Sequence, residues 1–419
     1  MPGLLDEVDS DYQYNSCHFC LSTSSPVTHK KAKPWDQIPL DKAIPLPYYD
    51  VMQSHPKTTL FTNMDEVWDY YRDDLLRVED RIKKSLDSQV SLINQVAYYI
   101  LSSGGKRIRP LLLIITSKLN DRQTGKSLTS GLANGRLGGG GIGEWPEGAP
   151  HRSTRIHDEA EVLLASAVEF IHTATLLHDD VIDQAEVRRG KKSAHTLWGN
   201  QASILVGDYL YTQAVSLALT LSSQEVNTTL ADACRLMTEG ETFQLTQHGN
   251  LEVTEQDYLK VIQHKTASLL SATCRLVSII SGLDSNKQDA LAQFGLYLGI
   301  AYQLADDTLD YIADQELLGK SLGKDLNEGK ITLPLLHLLS YCGEQERARV
   351  KNIVNADRIS DRDLQEILAL MKRYGSIEYS LKKARETVEI AKKNLDCSPP
   401  SLHRQALSVV ADYVVSRDH

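Results

Sequence analysis

From Met64 onward, apolar residues return every three or four positions almost without pause, and this periodicity leaves few folds open. It runs through 64–101, 110–119, 157–183, 201–222, 226–247, 255–282, 286–313 and 331–341, and continues in the stretches up to about 416. No segment alternates convincingly with the two-residue period of a strand. A helix with one apolar stripe must bury it against another element. The expectation is therefore an all-α domain over 63–419, with long helices around a shared interior. With 419 residues, 42% of them hydrophobic, the chain is long enough to bury a sizeable core.

Two stretches break the pattern. Residues 1–62 hold seven of the 13 prolines and read as an extended, partly ordered arm. Cys17 and Cys20 form a CxxC there, but without a second ligand pair they read as incidental thiols rather than a zinc site. The segment from about 120 to 154 contains RLGGGGIGEWPEG, where each interior glycine costs a helix about 1 kcal/mol. It reads as a surface insertion between helices, since it lacks the GK[ST] ending of a phosphate loop and no strand precedes it.

Composition narrows the class. Six scattered cysteines fit a reducing compartment rather than a disulfide scaffold. The acidic start MPGLLDEVDSDYQ lacks a secretory signal, and no apolar run approaches the roughly 18–20 residues that span a bilayer. A cytoplasmic protein with no transmembrane segment is expected. The net charge of −10 argues against a sequence-independent nucleic-acid binder, which needs a basic face. Small anionic substrates respond to local charge instead.

Local charge is where the chemistry lies. HDDVID supplies Asp179, Asp180 and Asp183, and ADDTLD repeats the spacing with Asp306, Asp307 and Asp310. Residues four apart share a helix face, so Asp179 and Asp183 project together, as do Asp306 and Asp310. Two like charges about 4 Å apart repel by about 4 kcal/mol at an effective dielectric of 20. One such motif reads as readily as a solvated acidic face or a set of ion pairs. Two of them in apolar helices call for a strong cation, and hard oxygen ligands select Mg²⁺. Mg²⁺ is usually shared between carboxylates and substrate phosphates. Two basic loops, GGKRIRP at 104–110 and RRGKK at 188–192, offer the phosphate partners, although either taken singly reads as a solvated loop. His172, Thr175, Asp179 and Asp183 form one stripe, and Gln303, Asp306 and Asp310 form another. A diphosphate substrate explains these features together.

GGKRIRP, LLHDDVIDQAEVRRG, GDYLY, HKTASL, YQLADDTLDY and LGKSLGKDLNEGKITLPLL together resemble the trans-isoprenyl diphosphate synthase family, and its long-chain polyprenyl branch (octaprenyl-type) in particular. The match spans roughly 65–419 in the family's order, and the arm and insertion depart from it. The resemblance implies an isoprenoid-synthase-type helical bundle with a central cavity, acting as a homodimer. Asp179, Asp183, Asp306 and Asp310 would hold Mg²⁺. Lys106, Arg109, His172 and Arg189 would bind isopentenyl diphosphate. Arg188, Lys265, Thr266, Gln303 and Lys320 would contact the allylic diphosphate, with Lys330 a further phosphate-side lysine. Asp325 carries over weakly, because Lys324 stands where the family often has an acidic residue. Arg188, Lys265 and the four metal-binding aspartates would carry catalysis, a head-to-tail condensation that adds five carbons per cycle and makes a long chain for quinones.

Ala174 and Thr175 lie about one turn before Asp179, where short-chain members of the family carry bulky aromatics that stop the growing tail. Small residues there, and Ala214, Ser216 and Ala218 on the following helix, imply a deep apolar tunnel. A geranylgeranyl-making synthase is an alternative within the class, and a silent partner subunit one outside it. A terpene cyclase would not need the GGKRIRP loop.

Overall fold

Asn63 opens the first helix by accepting a hydrogen bond from the Glu66 amide, supplying a partner for one of the N–H groups that a helix start leaves unpaired. The computed structural model describes residues 60–119, 152–312, 323–356 and 358–416, with 152–157 as backbone only. The single run expected over 64–101 is three helices: α1 Met64–Tyr70, α2 Arg72–Ser85 and α3 Ser91–Ser102. α4 Ile108–Lys118 follows, then α5 Arg152–Ile182, which begins a few residues earlier than the sequence pattern predicts. The Cys17–Cys20 pair, most of the arm and nearly all of the glycine-rich insertion lie outside the described residues.

Among the described residues the remaining regular structure is helical, apart from one small hairpin. The helices are α6 Ala194–Trp198, α7 Asn200–Leu219, α8 Gln224–Thr246, α9 Glu255–Ile262, α10 Ser268–Ile280, α11 Ser285–Leu309, α12 Lys324–Asn327 and α13 Leu333–Tyr341. α14 Glu344–Val354, α15 Asp361–Arg373, α16 Ser376–Asn394 and α17 Leu402–Ser416 complete them. Strands β1 Val187–Arg188 and β2 Lys191–Lys192 pair antiparallel, with Arg188 opposite Lys191. Two-residue strands are too short to show a period, so the sequence could not reveal them. Arg189 and Gly190 form the turn with φ of 52° and 73°, the positive values a two-residue hairpin loop requires.

α5 is the central helix. Leu164, Ala165, Ala167, Val168, Phe170, Ile171, Ala174 and Leu177 on it are fully buried, and it packs against α4 and α7. This corrects the expectation that no stretch is apolar enough to span a bilayer: Asp158–Ile182 is long and apolar enough, but 78% of its most apolar window is buried inside the protein. A helix that is mostly apolar and mostly buried suits the middle of a bundle.

α11 lies between α10 and α16. Gly295 and Gly299 bring its backbone against the neighbouring helix: a Cβ at Gly299 would lie 2.5 Å from Ala267 Cα, and one at Gly295 2.3 Å from the Leu270 carbonyl oxygen. That close approach fixes the second of the two walls described next against the turn that carries Lys265 and Thr266.

Candidate active site

The GGKR loop enters α4 with Gly104, Gly105 and Arg107 at φ of 89°, 150° and 46°. Glycine adopts such values freely, whereas Arg107 must be held there. Its guanidinium donates to Glu79 Oε1 and Glu169 Oε1, both at 2.5 Å, and to the Leu101 carbonyl at 2.9 Å. Burial opposes its charge, but the two glutamates outweigh burial and hold it protonated above the ordinary range. Arg107 thus anchors the loop, and it lines the cavity together with Lys106 and Arg109. A Cβ at Gly105 would lie 2.8 Å from Arg189 Nη1 and would push the hairpin guanidinium off this loop, and the φ of 150° itself favours glycine.

On the first acidic wall His172, Thr175, Asp179 and Asp183 line the cavity as one stripe. Burial, followed by Arg109, Arg189, Arg188 and Arg107, pushes the His172 imidazole well below its usual range, so it is neutral at neutral pH. Burial raises Asp179 to about 6 against the pull of Lys265. Asp180 points elsewhere. It is fully buried and accepts from Arg188 Nε at 2.6 Å, fixing the hairpin guanidinium at the cavity edge.

On the second wall Asp306 and Asp307 both line the cavity, and the buried Asp307 accepts from the Tyr258 hydroxyl at 2.7 Å and from Gln303 Nε2 at 2.6 Å. Thr266 donates to Gln303 Oε1 at 2.9 Å, so Thr266, Gln303, Asp307 and Tyr258 form one chain of hydrogen bonds. Thr266 and Lys265 sit on a π-helical turn, Gln263–Ala267, that swells the helix toward α11. Lys265 Nζ donates to Gln244 Oε1 at 2.7 Å and pairs with Glu241. Lys330 Nζ reaches across to Asp183 Oδ2 at 3.0 Å and also binds Glu328 at 2.9 Å. Burial opposes the Lys330 charge, yet Asp183 and Glu328 hold it protonated above its ordinary range.

One cavity of about 700 Å³ gathers these groups. Of the residues expected at the site, Lys106, Arg109, His172, Thr175, Asp179, Asp183, Arg188, Arg189, Lys265, Thr266, Gln303, Asp306 and Lys330 line it, as does Asp325. Its apolar lining comes from Leu176, Met237, Leu269 and Leu270. Asp310 is not among the lining residues; it accepts from the Asp325 amide at 3.0 Å. Ala174 faces the core rather than the cavity, as do Ala214 and Ala218. Ser216 is exposed, on the opposite side of α7 from Ala214. Lys320 lies outside the described residues.

Glu241, Gln244, Tyr258 and the anchoring roles of Asp180 and Asp307 are not among the residues expected from sequence. The i,i+3 spacing of Glu241 and Gln244 was a legible signal for a shared face. Nothing local pointed to Tyr258, because its partner lies 49 positions away.

The polyprenyl synthetase family model matches residues 90–371. The chain belongs to this family. It is a prenyltransferase of that family, and its relatives point the same way. It is 36% identical over 356 residues to octaprenyl diphosphate synthase of Escherichia coli (strain K12), covering 85% of this chain and 99% of the relative. The crystal structure of a decaprenyl diphosphate synthase from Rhodobacter capsulatus superposes with a TM-score of 0.73 at 35% identity, over 85% of this chain and 99% of the other. That of a polyprenyl synthase from Caulobacter crescentus CB15, complexed with calcium and isoprenyl diphosphate, gives 0.73 at 34% identity, over 87% and 100%. The all-α bundle is the family's fold.

Proposed function

We propose that this chain is a Mg²⁺-dependent long-chain trans-polyprenyl diphosphate synthase, condensing isopentenyl diphosphate head to tail onto an allylic diphosphate such as farnesyl diphosphate. The observation that carries this reading is the cavity bounded by two aspartate walls and two basic loops. The octaprenyl and decaprenyl synthases among its relatives favour a long product, of about eight prenyl units, suited to quinone side chains.

The donor set fits the metal. Asp179, Asp183 and Asp306 present carboxylate oxygens to one space, and burial has raised Asp179 to about 6, as expected of an acid short of positive charge. When bound, Mg²⁺ neutralises the charge that develops on the leaving diphosphate. Lys265, Arg188 and Lys330 add fixed positive charge around that group. Lys106, Arg109, Arg189 and neutral His172 bind the second diphosphate and hold its terminal double bond toward the allylic carbon. The allylic C–O bond breaks, the double bond attacks the resulting cation, and a proton leaves, with the released diphosphate as its acceptor. Leu176, Met237, Leu269 and Leu270 offer the growing tail an apolar surface.

A homodimer completes the reading. Ile204, Leu205, Val215 and Leu219 on α7 are 41%, 65%, 46% and 56% exposed, and Ile204, Val215 and Leu219 fall on one stripe that a second copy would cover. Incubation with farnesyl diphosphate, labelled isopentenyl diphosphate and Mg²⁺ should yield a long polyprenyl lipid on chromatographic sizing. No extension, or arrest at twenty carbons, would refute the long-chain assignment.

A further inference from the structure

The last helix contributes a residue to the loop at the opposite end of the described chain. Lys106 Nζ hydrogen-bonds to the Tyr413 hydroxyl and stands 4.9 Å from the centroid of its ring. The Trp68 ring meets Tyr413 edge to face at 5.6 Å, and its indole N–H donates to the Lys106 carbonyl oxygen at 3.1 Å. Trp68 is 8% exposed, so this donor is fixed by the core. One lysine is therefore gripped at its backbone by α1 and at its ammonium by α17. Tyr413 also lines the cavity beside Lys106.

We propose that Tyr413 is a positioning residue for isopentenyl diphosphate, acting through Lys106. The proposal rests on the reading of Lys106, Arg109 and His172 as the site of that diphosphate. Lys106 is exposed on a glycine loop, and ordering a free lysine side chain costs up to about 2 kcal/mol. An ammonium only donates, so the phenol oxygen accepts from it. The pairing orders the lysine before substrate arrives, and that pre-organisation appears as affinity. An ammonium has three N–H donors, so holding one at Tyr413 leaves others for phosphate oxygens.

The test is a double-mutant cycle read in KM for each diphosphate separately. Tyr413→Phe keeps the ring and removes the acceptor. It should raise KM for isopentenyl diphosphate about threefold to tenfold, the range for loss of one ordinary, partly solvated hydrogen bond, while KM for farnesyl diphosphate changes less than twofold. In a Lys106→Met background the same substitution should add less than twofold. Trp68→Phe, which frees the Lys106 carbonyl, should show the same selective rise and guards against a folding defect peculiar to position 413. An unchanged KM for isopentenyl diphosphate in Tyr413→Phe, an equal rise for both substrates, or an undiminished effect in the Lys106→Met background overturns the proposal. If Lys106→Met itself leaves KM for isopentenyl diphosphate unchanged, the assignment of the loop falls and the proposal falls with it. If Lys106→Met raises that KM and Tyr413→Phe does not, only the role of Tyr413 is lost.

Discussion

Within each acidic motif the aspartates divide their work by burial. Asp179, Asp306 and Asp307 line the cavity, and Asp180 and Asp307 are buried and hydrogen-bonded to side chains that frame it. Replacing Asp180 by Asn should leave the fold intact but free Arg188, lowering kcat/KM about tenfold to a hundredfold, the range for groups that orient an active side chain. Steady-state kinetics checks this, and a loss below twofold would mean Arg188 needs no anchor. The raised acids also set a pH dependence. Burial lifts Asp179, and also Asp307, to about 6 from an ordinary 3.8, so the folded state binds these protons more tightly than the unfolded chain. Their contribution therefore falls as pH rises from about 4 to about 6, and the penalty is fully present above that. A divalent cation relieves the penalty only where the acids are ionised. Mg²⁺ should raise the melting temperature clearly at pH 7.5 and little at pH 5. Equal shifts at both pH values would mean the cation binds elsewhere.

Between elements, the decisive contact is the glycine face of α11 against the π turn and α10. Gly299→Val should drive a side chain into Ala267 and lower stability by about 1–3 kcal/mol, read as a shifted denaturant midpoint. Because Thr266 and Gln303 flank that contact, activity should fall even in molecules that remain folded. Neighbours on α5 should also behave differently. Thr175 lines the cavity, so Thr175→Phe should shorten the product, seen by chromatography, with the melting temperature nearly unchanged. Ala174 is fully buried in the core, so Ala174→Phe should destabilise the protein instead. Equal shortening by both would place the growing tail on both faces of the helix.

For the whole molecule, α7 is half core and half exposed apolar surface. Val215→Asp combined with Leu219→Asp should convert a dimer to a monomer in light scattering after gel filtration, with little change in the secondary structure seen by circular dichroism. A wild-type protein already monomeric at micromolar concentration would remove the need for a partner copy.

The helical periods, the paired DDxxD spacing and the two basic loops were legible in the sequence, because each rests on short-range geometry that 3.6 residues per turn imposes. The stripe of His172, Thr175, Asp179 and Asp183 follows from that geometry alone, and it lines the cavity as one stripe. Local spacing could not say which side of a helix meets which neighbour. It therefore could not separate Ala174 from Thr175 or reveal that Arg188 leans on Asp180. It also could not show that Tyr258 and Tyr413 reach across 49 and 307 positions to Asp307 and Lys106. Those pairings depend on how close two backbones approach, which at α11 is set by two missing side chains, Gly295 and Gly299. The sequence determined what chemistry the chain carries, and the tertiary structure decided which copy of each residue performs it.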